Sequence, residues 1–287
     1  HILSLGDSFT WGAGVTNEET WPEMLEGLLQ IDVINAGYPG IGTQQQLLLL
    51  KECGGIFKPD IIIVGFFVND FIDNLTWRHK LGVNNFWYTN FGRPIRVWLA
   101  ANSYSYQFFK YFFLGRIGIG DFENIYWSQE ERNERFVIVN QDNLKLHLSR
   151  DYALYLNPEF DIYNDAIIVL DQTLSEMLLE AGKLDSQLLV VFLPSKEQVY
   201  WRYLSPELSS DLQYQVEFPN EVLADLALKN RIVFLDLFPV FEANNHQQLY
   251  WDVDSHMNAA GYKLVADSIA KFLLEQEDII GTRSIGK

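Results

Sequence analysis

The sequence predicts an α/β fold, a three-layer α/β/α sandwich around a central parallel sheet. Three observations predict it. Short apolar runs alternate with amphipathic stretches in both halves of the chain, and strands alternating with helices pair in parallel. Ile61–Phe67 is an unbroken apolar run, as a strand buried on both faces requires. The closing segment, Asn258–Gln276, places Tyr262, Leu264, Val265, Ile269, Phe272 and Leu273 on a roughly helical stripe.

The elements follow in order. His1–Leu5 reads as a buried strand, and Gly6-Asp7-Ser8-Phe9-Thr10 as the turn after it. Glu18–Leu29 reads as a helix, with Thr16 or Asn17 as its cap and acids in its first turn. Ile31–Asn35 is a second strand, closed by a loop of glycines and a proline from Ala36 to Gly42. Thr43 can cap a helix from Gln44 to Cys53, and Pro59-Asp60 leads into the third strand. Asp161–Ala181 reads as a long helix ending near Gly182. Gln187–Leu193 is a strand stopped by Pro194, Asn220–Lys229 a helix, and Arg231–Asp236 a strand. Right-handed crossovers between such units cover both faces of the sheet.

The alternation breaks between about 71 and 160. This stretch carries Trp77, Trp87, Trp98, Tyr104, Phe109, Phe113 and other aromatics, and is expected to be an insertion beside the carboxyl edge of the sheet. It supplies either extra core or a lid and substrate wall, with Tyr104–Leu114 as a buried helix. The 287 residues are therefore expected to form one domain, 1–287, with this insertion.

Composition narrows the function classes. Hydrophobic residues make up 48% of the chain, enough apolar surface to offset the entropy of ordering it. The net charge of -17 disfavours nucleic acid and anionic lipid, which need clustered Lys and Arg. No apolar run reaches the roughly 18 residues of a membrane span. Cys53 is the single cysteine, expected as a small buried hydrophobe, so no intrachain disulfide and no Cys-based metal site can form. The chain opens at His1, without Met and inside a strand, so a leader, an anchor or a longer N-terminal region is expected to precede it. The compartment, cytoplasmic or exported, stays open.

Candidate chemistry sits directly after strands, where sites form in parallel sheets. Gly6-Asp7-Ser8 follows the first strand, Gly37 the second and Asn69-Asp70 the third, while Trp251–Asn258 precedes the last helix. A serine hydroxyl attacks well only when a base removes its proton, and His256 can be that base for Ser8. A carboxylate on the other ring nitrogen fixes the tautomer; Asp254 is favoured and Asp252 is the alternative. The oxyanion of the intermediate needs donors, for which the N–H groups of Ser8 and Gly37 and the Asn69 amide are suited. An aspartyl-phosphate loop at Asp7 is disfavoured because Phe9 stands where a second acid is needed. Gly12-Ala13-Gly14 lacks the third glycine of a dinucleotide loop. Asp252, Asp254 and His256 are too thin a ligand set for a metal, and His79, His147 and His246 receive no role.

Taken together these blocks resemble the SGNH, or GDSL, hydrolase superfamily. Gly6-Asp7-Ser8-Phe9-Thr10-Trp11-Gly12, Asn35-Ala36-Gly37-Tyr38-Pro39-Gly40, Gly65-Phe66-Phe67-Val68-Asn69-Asp70 and Asp254-Ser255-His256 match its blocks in order. The usual last block has Asp three residues before His, where this chain has Val253. The D-x-H spacing resembles the alginate-acetyltransferase-like branch, as does Pro194-Ser195-Lys196-Glu197-Gln198-Val199-Tyr200. The resemblance implies the SGNH-type fold, Ser8 as nucleophile, an oxyanion hole of Ser8, Gly37 and Asn69, and no cofactor or metal. It implies a serine esterase acting on a small ester, with O-acetyl groups on a carbohydrate as the expected substrate. Transfer of the acetyl group to a glycan, a lipase-like activity and a non-catalytic carbohydrate-binding module are the alternatives.

Overall fold

A computed structural model describes residues 1–75, 135–141 and 143–276. The chain divides into two compact units, one formed by His1–Leu75 with Phe136–Lys287 and the other by Thr76–Arg135. Of the stretch read as an insertion, residues 136–160 therefore belong to the first unit. Its aromatic run from Trp77 to Phe113, including the expected helix Tyr104–Leu114, and His79 lie outside the described residues.

The first unit begins with strand β1 (Ile2–Gly6), buried at every position. A single turn of helix, α1 (Ser8–Trp11), replaces the expected turn, because the Asp7 side chain caps it through the Phe9 N–H. The helix expected over 18–29 is split. A 3-10 turn spans Asn17–Glu19, and α2 (Trp21–Leu29) starts anew at Thr20 with Pro22 in its first turn. Gln30 ends α2 in the left-handed conformation, which delays β2 to Val33–Gly37, two residues later than its apolar run suggests. Helix α3 (Thr43–Phe57) runs through Gly54 and Gly55 and stops only at Lys58. Cys53 lies on it, half-buried rather than in the core. Strand β3 (Ile61–Phe66) is wholly buried.

An antiparallel hairpin follows, β4 (Phe136–Gln141) and β5 (Leu144–Ser149), inside the stretch read as an insertion. Then come α4 (Arg150–Ala153), the long α5 (Ile162–Lys183) and β6 (Gln187–Phe192). Two short helices, α6 (Lys196–Val199) and α7 (Trp201–Leu204), lead to α8 (Phe218–Asn230) and β7 (Val233–Asp236). The chain continues through α9 (Phe238–Ala243) to α10 (Ala259–Glu275), which Asn258 caps. No helix among the described residues is long and apolar enough to cross a membrane.

Five strands form one parallel sheet in the order β2-β1-β3-β6-β7. Helices α2 and α10 pack together, as do α3, α5 and α8, giving the layers on the two faces. Strand order reverses between β1 and β3, so the carboxyl ends of β1, β2 and β3 open around one crevice. Three residues at that edge carry no side chain: Gly6 is in register with both Gly37 and Gly65.

Candidate active site

The glycine row explains how α1 reaches the sheet. A Cβ at Gly6 would stand 2.0 Å from Thr10 Oγ1, and one at Gly65 would stand 2.5 Å from the same atom. At Gly37 it would meet the Trp11 backbone nitrogen at 2.3 Å. Only bare backbone lets α1 settle across three strand ends, with Ser8 as its first residue.

Asp7, fully buried, ties the residue after Ser8 to Asn69. Its Oδ1 accepts from the Phe9 N–H at 2.9 Å, and its Oδ2 accepts from the Asn69 side-chain amide at 3.0 Å. Burial pushes the Asp7 carboxyl up to about 6, against the pull of these two hydrogen bonds and of His256. The Asn69 Oδ1 is buried and has no partner among the described residues. Sequence reasoning had no role for Asp7 beyond a rejected phosphatase loop; its capping of α1 was the signal available.

The loop before α10 delivers the histidine. His256 Nε2 lies 2.7 Å from Ser8 Oγ, and His256 Nδ1 lies 2.5 Å from Asp254 Oδ1. The same carboxylate oxygen accepts from the His256 backbone N–H at 2.7 Å, which bends the loop so that acid and ring face each other across one residue. Burial raises the Asp254 carboxyl, but the hydrogen bonds and charge of His256, with Lys196, outweigh it and hold it below the ordinary value. Phe9 packs against the His256 ring with centroids 4.7 Å apart, and stacks on Phe67 at 3.8 Å. The Asp252 side chain is exposed; that residue enters the packing through its backbone carbonyl, which accepts from the His147 N–H at 2.6 Å. His147 lies in β5, within the stretch read as an insertion.

The three expected oxyanion donors differ in what they now hold. Ser8 N–H belongs to the first turn of α1, whose amides have no partner within the helix. The Asn69 amide spends one hydrogen on Asp7 and keeps a second. The Gly37 N–H donates to Asn35 Oδ1 at 3.0 Å. The arrangement can pass a proton from Ser8 to His256 while Asp254 holds the ring. Among the described residues no three His, Cys, Asp or Glu side chains gather where they could hold a metal ion.

A further charged pair lies beneath the loop. Lys196 and Glu197, both buried, open α6. The Lys196 ammonium donates toward the carbonyls of Trp251, Asp252, Val253 and Asp254, at 3.3, 3.4, 3.5 and 2.9 Å. Glu197 Oε1 accepts from the Ser149 N–H at 2.9 Å. The sequence showed this pair only as part of a resembling segment. Two charges placed directly after an apolar strand and Pro194 were the signal.

Comparison with known proteins agrees with this architecture. Residues 2–96 match the family described as GDSL-like lipase/acylhydrolase. Residues 169–284 match the family described as SGNH hydrolase-like domain, acetyltransferase AlgX. No curated protein matches the sequence. Among solved structures, TesA is similar with a TM-score of 0.50 at 13% identity, over 95% of this chain and 97% of that one. A member of the lipolytic G-D-S-L family from Veillonella parvula gives 0.48 at 14%, over 95% and 97%. The acetylxylan esterase Axe2 from Geobacillus stearothermophilus gives 0.48 at 16%, over 94% and 92%. At 13% identity the likeness to TesA is one of fold. The two family matches take in the first three sequence blocks and the last, in chain order: the chain carries a GDSL-like lipase/acylhydrolase match at one end and an SGNH hydrolase-like match at the other.

Proposed function

We propose that the protein is a serine-dependent ester hydrolase that removes O-acetyl groups from a carbohydrate through an acyl-Ser8 intermediate. The observation that carries this reading is the unbroken chain from Ser8 Oγ through the His256 ring to Asp254. Ser8 Oγ attacks the ester carbonyl as His256 Nε2 takes its proton. The Ser8 N–H and the second hydrogen of the Asn69 amide hold the oxyanion, and the Gly37 N–H joins them as the oxyanion displaces Asn35 Oδ1. His256 returns the proton to the leaving sugar hydroxyl. Water, deprotonated by the same nitrogen, then frees acetate and restores Ser8.

The carbohydrate part rests on three exposed aromatics around the nucleophile. Trp11 follows Ser8 by three residues and is 52% exposed; Tyr38, next to Gly37, is 64% exposed. Trp251, at 40%, precedes the loop of Asp254 and lies against Gly14. Flat apolar faces with a polar tip suit the C–H faces of sugar rings. The test is release of acetate from acetylated oligosaccharides and from p-nitrophenyl acetate, with Ser8→Ala beside the wild type. Turnover of both that vanishes in Ser8→Ala is expected. Turnover of the activated ester alone removes the carbohydrate assignment, and turnover retained by Ser8→Ala removes the mechanism.

One observation favours a second reading, acetyl transfer to a glycan hydroxyl: the family matched over residues 169–284 is described by an acetyltransferase. Product analysis with a free sugar acceptor separates the two. Acetylated acceptor appearing before free acetate supports transfer; free acetate alone supports hydrolysis.

A further inference from the structure

We propose that Lys196 is a positioning residue for catalysis: its buried ammonium gathers the backbone of the 251–254 loop and so sets Asp254 and His256 in line with Ser8. The inference rests on the function proposed above for Ser8 and His256.

Residues 251–256 form neither helix nor strand; the His256 carbonyl accepts from the Trp251 N–H, while those of residues 251–254 meet donors outside the segment. Four consecutive carbonyls turn toward one nitrogen, and the nearest, at 2.9 Å, belongs to Asp254 itself. An ammonium carries three donors and no acceptor, which makes it suited to a ring of carbonyls. Lys196 is 1% exposed, and burying a charge is costly unless it is paired and hydrogen-bonded. A cation in this position is therefore conspicuous, and its donors go to the loop that carries the acid and the base.

The lysine is itself held firmly. Ser195 caps α6, with Gln198 completing a reciprocal pair of bonds at 3.0 and 3.2 Å. Tyr250 donates from its hydroxyl to the Pro194 carbonyl at 2.6 Å, and Tyr200 joins the Gln247 carbonyl and the Leu249 N–H. Residues 194–200 and 247–254 are thus clamped on both sides of the ammonium. Glu197 stands beside Lys196 as a counter-charge, and Asp254 faces it from the loop. The positive charge also favours ionised Asp254, the form that holds the His256 ring.

A lysine that merely stabilised the fold would lower melting temperature and act alike on every variant. A positioning residue acts through His256. The experiment uses the full chain and p-nitrophenyl acetate, with Lys196→Met and Lys196→Gln, each alone and combined with His256→Ala. In the wild-type background Lys196→Met is expected to lower kcat on the order of 10²-fold with KM unchanged, as a displacement of about 1 Å would. Lys196→Gln, which keeps donors and loses the charge, falls between. In the His256→Ala background neither change costs more, because residues acting as a unit are not additive. Equal losses in both backgrounds, or wild-type kcat in Lys196→Met, overturn the proposal while leaving Ser8 and His256 in place. Failure of both variants to fold cooperatively overturns it too, since the ammonium is then a determinant of the fold. If His256→Ala alone keeps full activity, it is the underlying reading that fails.

Discussion

Asn69 donates its side-chain amide to the Asp7 carboxylate over 3.0 Å, joining the segments that follow β3 and β1, the latter just before Ser8. One carboxylate thereby orients both α1 and the amide assigned to the oxyanion. Burial raises Asp7 from 3.8 to about 6.

The sign of the resulting pH dependence follows from linkage. Below 3.8 Asp7 carries its proton in both the folded and the unfolded chain. Between 3.8 and about 6 the folded chain keeps a proton that the unfolded chain has released. The stability that Asp7 contributes is therefore full below 3.8 and is lost as pH rises to about 6. Asp70 is raised by its burial first and by the charge of Asp7 second, and acts in the same direction. Melting curves of wild type and Asp7→Asn between about pH 4 and pH 8 check this. The wild type is expected to lose ground against the variant as pH rises toward about 6. A constant difference over the whole range contradicts it.

Replacing Asn69 by Ala removes the proposed oxyanion donor and leaves Asp7 with one hydrogen bond fewer. The expected loss in kcat is on the order of 10²–10³-fold, the cost of one such donor. Ser8 should still react with a fluorophosphonate, since His256 is untouched at 2.7 Å from it. A kcat within a few-fold of wild type sinks the assignment of Asn69.

Asp254 and Asp252 should separate cleanly. Asp254 Oδ1 takes both the ring and the backbone N–H of His256, while the Asp252 side chain is exposed. Asp254→Asn is expected to cost up to about 10⁴-fold in kcat through the wrong tautomer, and Asp252→Asn only a few-fold. Asp254 lies below its ordinary value, so in wild type its own protonation ends activity only at a pH lower than that of an ordinary aspartate. Steady-state kinetics of both variants settle the ranking, and the reverse order moves the acid to Asp252.

How much of this was legible in the sequence depends on where each signal came from. Strands buried on both faces, such as β1 and β3, announce themselves as apolar runs, and residues just past their ends fall at one edge of the sheet. That made the positions of Ser8, Gly37 and Asn69 visible together. Residues whose work is tertiary left weaker traces. Lys196 lies more than fifty positions from the loop it gathers, and Asn35 reaches Gly37 through a side chain that periodicity does not see. The second strand of the hairpin was legible as the alternation Leu144-Lys145-Leu146-His147-Leu148-Ser149, but it fell inside the stretch read as an insertion and was passed over there. Strand β2 was misplaced by two residues because Gln30, not a glycine, takes the left-handed turn that ends α2.

Two glycine replacements should behave oppositely, and the contrast tests the seat of α1. A Cβ at Gly37 would meet the Trp11 nitrogen at 2.3 Å and the Thr10 carbonyl carbon at 2.7 Å. Both are backbone atoms, so no side-chain rotation relieves the clash, and α1 must lift from β2. Ser8, its first residue, moves with it. Gly37→Ala is therefore expected to lower both the melting temperature and the kcat, the latter on the order of 10²-fold for about 1 Å of displacement. Gly55 lies in the body of α3, exposed, and a Cβ there meets nothing within 4 Å. Gly55→Ala removes unfolded-chain entropy without a clash and should stabilise by about 0.5–1 kcal/mol with kcat unchanged. If Gly37→Ala keeps wild-type kcat, Ser8 is not placed by the close approach of α1 to β2. A loss of kcat in Gly37→Ala set against unchanged kcat in Gly55→Ala ties activity to a glycine that lies under α1.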